Sequence, residues 1–148
     1  MNTDRSIVID APAPVVWDVF VDVVGWPTWT TSVERIVPLD GPEIRVGNRF
    51  EIKQPHLPKL VWEVTDVASG RSWTWRQRSR GATTIASHEV VAQDGGKTLV
   101  QQRIDQRGPV GVTVGWLTRR LTNRYLDLEA QGLRACSEQR GRQRAADT

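Results

Sequence analysis

The chain has 148 residues, 39% hydrophobic and 25% charged, with a net charge of +3. That length suits one domain whose core closes without covalent staples. A single cysteine, Cys136, excludes an internal disulfide framework and any multi-cysteine metal site. No apolar run approaches the roughly 18 residues of a membrane-spanning helix. The start MNTDRSIVID lacks the basic lead and apolar run of a secretory signal. A soluble, cytoplasmic protein is expected, with no stable membrane insertion.

In chain order, Arg5–Asp10 alternates around Ile7 and Ile9 and predicts a strand. Pro14 suits the first turn of a helix, where its missing N–H costs nothing. That helix carries Val16, Phe20 and Val23 on one face with Trp17 beside them, and Gly25 breaks it. Pro27 is expected to open a second short helix containing Trp29 and Val33. Trp29 is expected in the core and Trp26 nearer the surface.

Six further strands are predicted: Arg35–Leu39, Arg49–Gln54, Leu60–Val67, Ser72–Ser79, Ala82–Gln93 and Thr98–Arg107. Turn residues separate them, including Gly47-Asn48, Pro55–Pro58, Ser69-Gly70, Gly81 and Gly95-Gly96, as in an antiparallel meander. The chain then enters one long helix. Val114, Leu117, Leu121, Tyr125, Leu128, Gly132 and Ala135 recur at steps of three and four and predict its buried stripe. Arg119, Arg120, Arg124 and Glu129 lie mostly off that stripe. The domain is expected to span 1–138, and the segment 139–148, with nothing apolar larger than alanine, to be a disordered tail.

The period of two sorts the strand residues by face. Phe50, Ile52 and Gln54 share one face, as do Leu60, Trp62 and Val64, and Trp73 and Trp75. Thr84, Ala86, His88, Val90 and Ala92 share another, as do Val100, Gln102 and Ile104. Large indoles facing small side chains can interdigitate into a solid core or enclose a pocket. An apolar cavity with a few placed polar groups is the usual form of a small-molecule site.

The segments IDAPAPVVWDVFVDVVGWPTW, VGNRFEIKQP, RSWTW, ASHEV and GPVGVTVGWLTRRLTNRYLDLEAQGLRACSE, in this order, resemble the START-like, helix-grip (SRPBCC) superfamily, in particular the bacterial polyketide cyclase/dehydrase and lipid-transport group. The resemblance covers about residues 5–138. It implies an α+β fold: a seven-stranded curled antiparallel sheet wrapped around a long C-terminal helix, with two short helices after the first strand. It also implies a cavity between sheet and helix. The entrance would lie near Trp26, Trp29, the loop Pro55–Pro58, Trp116 and Leu117.

The expected ligand site is Phe50, Ile52, Trp62, Trp73, Trp75, His88, Gln102, Trp116, Leu117, Leu121 and Tyr125, holding a hydrophobic or aromatic small molecule such as a lipid or polyketide. The alternative is a cyclase/dehydratase-like enzyme with His88 as catalytic acid/base, since imidazole titrates near neutral pH. His88 can equally be a buried histidine satisfied by a backbone carbonyl or by Gln102. His56 lies in a proline-bounded loop and is expected to be exposed, and no carboxylate or cysteine completes a metal set with the two histidines, so neither a metal nor another cofactor is expected. The arginines, densest at Trp75–Arg80, Arg119–Arg124 and Arg134–Arg144, accompany no nucleic-acid motif and read as a solvated surface. No nucleic-acid partner is expected, and the protein is expected to be a monomer or homodimer.

Overall fold

The structure, a computed structural model, describes residues 2–148 except the side chain of Val114. Strand β1 (Asn2–Ile9) leads into helix α1 (Ala13–Val21) and a 3-10 helix (Val23–Thr28). Strands β2 (Arg35–Pro38), β3 (Arg49–Lys53), β4 (Leu60–Ala68), β5 (Ser72–Ser79), β6 (Ala82–Gln93) and β7 (Lys97–Arg107) follow. Helices α2 (Pro109–Leu117) and α3 (Arg119–Ala146) end the chain. All seven strands form one antiparallel sheet in the order β1-β7-β6-β5-β4-β3-β2.

The predicted strands and their faces are recovered. Phe50, Ile52, Trp62, Val64, Trp73, Trp75, Ala86, His88, Val90, Val100 and Gln102 are all buried on the inner face. A register shift between Val64 and Asp66 inserts an extra residue into β4 and bends the sheet. The bend helps curl the sheet over α3, which packs on β1 and α1. At the β6–β7 hairpin Gly95 and Gly96 adopt φ of 77° and 72°, a conformation that glycine tolerates best.

Five expectations are corrected. The second short helix is the 3-10 segment Val23–Thr28, which runs through Gly25 and holds Pro27 inside it. This reverses the two tryptophans: Trp26 is 2% exposed and Trp29 only half-buried. The Trp26 indole N–H donates to the Phe20 carbonyl at 2.9 Å, satisfying an orphan acceptor in the last turn of α1.

The single long helix is two helices, interrupted at Thr118. Of the predicted stripe only Tyr125 is buried; Leu121, Leu128 and Gly132 are half-buried, and Leu117 and Ala135 are exposed. The side chain of Val114 lies outside the described residues. The buried face is Tyr125, Leu126, Glu129, Ala130, Leu133 and Ser137, about one residue further round the helix. Gly132 accounts for the offset: a Cβ there would collide with the backbone carbonyl of Trp29, so α3 turns its glycine towards that corner. Finally, where a disordered tail is expected, α3 continues to Ala146, and Arg144 pairs with Asp18 of α1 at 3.1 Å.

Candidate functional site: a cavity between the sheet and the C-terminal helix

The curled sheet and α3 enclose a cavity of about 330 Å³. That is at the small end of the roughly 300–1,000 Å³ of ligand pockets. Its apolar wall comes from Trp26, Val33, Ile52, Leu60, Trp62, Trp75, Ala86, Ile104, Leu121 and Leu126. Its polar groups include Gln54, Gln77, Thr84, His88, Gln102, Gln106, Thr122, Tyr125 and Glu129. Among its exposed members, Pro58, Arg80 and Val110 mark an end framed by the β3–β4 loop, the β5–β6 turn and α2.

Seven of the eleven expected site residues line this space: Ile52, Trp62, Trp75, His88, Gln102, Leu121 and Tyr125. Phe50 and Trp73 are fully buried behind the wall, where their rings pack against Trp75 and His88 respectively. Trp116 and Leu117 do not line it. Each is 69% exposed, because α2 turns them outward.

His88 is enclosed by aromatic rings. It stacks on Trp73, its cross-strand neighbour, at 3.7 Å and 12°. Phe20, Trp26 and Trp75 meet it edge-on at 5.2, 6.1 and 5.8 Å. Its Nδ1 lies 3.2 Å from the Trp73 carbonyl, an atom that can only accept. The proton therefore sits on Nδ1, leaving the Nε2 lone pair as an acceptor. Burial among apolar rings penalises the imidazolium and lowers the pKa to about 3. His88 is thus a neutral, oriented imidazole near pH 7.

The group that the sequence reading missed is Glu129. It is 8% exposed on α3 and reaches the cavity wall. Gln102 Nε2 donates to one carboxylate oxygen at 2.9 Å, and Ser32 Oγ donates to the other at 3.1 Å. Thr30 Oγ1 donates to Ser32 Oγ at 2.9 Å, completing a chain of hydroxyls behind the acid. Burial raises the pKa to about 7, and the bonds from Gln102 and Ser32 pull against that rise. A carboxyl group titrating there is matched to proton exchange at neutral pH. One signal in the sequence points to it. The positions three and four residues either side of Glu129 are Tyr125, Leu126, Gly132 and Leu133, so an acid without a basic helical partner shares an apolar face.

Tyr125 ties the mouth together by donating its hydroxyl to the Pro55 carbonyl of the β3–β4 loop. His56 in the same loop is exposed, with φ of 65°. Among the described residues no cluster of histidine, cysteine and carboxylate side chains could hold a metal ion.

The sequence profile for polyketide cyclase/dehydrase and lipid transport proteins matches residues 2–138. A Streptomyces halstedii protein, provisionally named a polyketide cyclase, is 28% identical over 120 residues, covering 78% of this chain and 97% of its own length. The crystal structure of the Zhui aromatase/cyclase from Streptomyces sp. R1128 superposes with a TM-score of 0.77 at 15% identity, over 95% of this chain and 94% of that one. A START superfamily protein from Mycobacterium smegmatis gives a TM-score of 0.69 at 17% identity, over 96% and 97% of the two chains. The fold is the START-like helix grip.

Proposed function

The chain belongs to the polyketide cyclase/dehydrase and lipid transport family, and from that premise we propose that it binds a hydrophobic or aromatic small molecule whose polar end meets Glu129 and Gln102. The carrying observation is the buried Glu129–Gln102 pair in an otherwise largely apolar wall. Indoles at Trp26, Trp62 and Trp75 offer flat surfaces to a ring system. A ligand carbonyl can accept from protonated Glu129, and a ligand hydroxyl can donate to its ionised form. His88 contributes a bare Nε2 acceptor and a fixed ring, and holds no exchangeable charge near pH 7.

The same pair favours a second reading as a cyclase/dehydratase-like enzyme, with Glu129 rather than His88 moving the proton. Ionised Glu129 removes a proton from the carbon beside a ligand carbonyl, and the C–H electron pair becomes the enolate. Gln102 N–H stabilises the developing oxyanion. As the enolate collapses, the C–O bond to a β-hydroxyl breaks, and Glu129 returns its proton to that oxygen. Water leaves, and no oxidant or reductant is needed.

The test is tryptophan quenching by hydroxyanthraquinones and by fatty acids, with Ala86→Leu to fill the cavity. Saturable quenching that Ala86→Leu weakens by about tenfold or more supports the reading, since an overpacked site costs about 1–3 kcal/mol. Unsaturable quenching, or quenching indifferent to Ala86→Leu, removes it. For the second reading, ultraviolet absorbance follows enone formation from aryl ketones that carry an aliphatic β-hydroxyl. Turnover retained in Glu129→Gln excludes Glu129 as the proton carrier.

A further inference from the structure

Helix α2 is packed inside out. Gly111 and Gly115, four residues apart, face the sheet: a Cβ on Gly111 would lie 3.5 Å from Ala82, and one on Gly115 would collide with Gln106 Oε1. The large apolar residues point to solvent instead. Val112 is 51% exposed, and Trp116 and Leu117 are each 69% exposed. A soluble helix ordinarily turns such residues inward. Backbone bonds from Val110 N and Gly111 N to the Gly81 carbonyl, at 3.0 and 3.3 Å, lock the helix to the β5–β6 turn in this orientation.

Along the chain, the charge flanking this apolar tip has one sign. The β5–β6 hairpin brings exposed Arg78 and Arg80 to the start of α2, and exposed Arg119, Arg120 and Arg124 follow its end. No aspartate or glutamate occurs from Val67 to His88, or from Gln106 to Leu126. Asp105, just outside, is taken by Arg107 at 2.5 Å.

We propose that α2 is a peripheral docking element for an anionic lipid bilayer, with Val112, Trp116 and Leu117 entering the headgroup boundary and the arginines meeting lipid phosphates. Size separates this from a protein partner. The helix has nine residues, so it is about 14 Å long and about 10 Å wide. That footprint of about 140 Å² is far below the roughly 800 Å² per side of a stable protein interface. A bilayer has no such threshold, because apolar insertion and basic attraction add residue by residue. A second copy of the chain would bring arginines against arginines. The docking is association at the surface, as no helix among the described residues is long and apolar enough to cross a membrane. It goes beyond the ligand reading and uses other residues, although α2 and Arg80 also border the cavity mouth.

Vesicle co-sedimentation tests it, using phosphatidylcholine alone and an equimolar mixture with phosphatidylglycerol. The full chain should sediment with the mixed vesicles only, and added salt should release it. Trp116→Ser combined with Leu117→Ser should weaken binding by more than about tenfold. Arg119→Gln with Arg120→Gln should weaken it by about thirtyfold, at about fivefold per charge. Both pairs are exposed, so unchanged melting curves confirm intact folding. Failure to sediment with mixed vesicles, equal sedimentation with both kinds, or binding indifferent to the Trp116/Leu117 change overturns the proposal.

Discussion

Replacing Glu129 with glutamine tests the electrostatics of the cavity directly. The substituted amide keeps a carbonyl to accept from Ser32, and Gln102 can turn its own amide to accept from the new N–H, so both bonds survive in kind. What changes is the charge. The folded-state pKa of about 7 lies above the ordinary 4.5. Between those values the native protein holds a proton that the unfolded chain has released. The stability that Glu129 contributes is therefore full below about pH 4.5 and is lost as pH rises through about 7. A shift of that size corresponds to about 3 kcal/mol once the group is ionised. Glutamine escapes this cost. Relative to wild type, Glu129→Gln should gain about 2 kcal/mol between about pH 5 and about pH 8, read from urea midpoints at constant m-value. A difference that stays flat across this range, or grows towards acid, would refute the buried-carboxyl reasoning.

The other expectations concern packing, titration and the mouth. His88 has the opposite sign: its pKa is depressed to about 3, so its stabilisation is present above about pH 6.5 and lost as pH falls. His88→Leu should therefore gain about 3 kcal/mol on wild type between about pH 7 and about pH 4, and a gain towards alkali would contradict the neutral imidazole. Gly132→Ala, which ordinarily strengthens a helix by about 1 kcal/mol, should instead lower the melting temperature by about 5 °C, because its Cβ meets the Trp29 carbonyl. A raised melting point would show that α3 can lift away at no cost. Tyr125→Phe should cost about 1 kcal/mol and speed amide exchange at His56 and Leu57, while unchanged exchange there would mean the bond to Pro55 does not hold the loop.

The order of elements and the inner face of the sheet were legible because both depend on local periodicity. Alternation in RFEIK, SWTW and TTIASHEV assigns faces wherever one side is buried, and a one-residue slip would turn every indole to solvent. Glycine and proline at the turns mark where strands end for reasons internal to each turn. Depth behind a face is different. Trp73 and Trp75 alternate on one face, yet only Trp75 reaches the cavity, because the His88 ring stacks on Trp73. That contact depends on cross-strand register.

The helices show the same division. A repeat of three and four predicts that α3 has a buried stripe. Which of two adjacent stripes is buried was decided by Gly132 fitting under the Trp29 carbonyl, a contact between segments about a hundred residues apart. That choice carried Glu129 inward to Gln102 and Ser32, and burial then raised its pKa. In α2 a small residue won the inner position because Gln106 leaves no room for a Cβ at Gly115, while Gly111 sits in ordinary contact with Ala82. Hydrophobicity by itself would have placed Trp116 inside. Sequence thus determined the architecture through local periodicity and turn chemistry. Tertiary packing decided the site, since burial, protonation and orientation depend on neighbours distant in the chain.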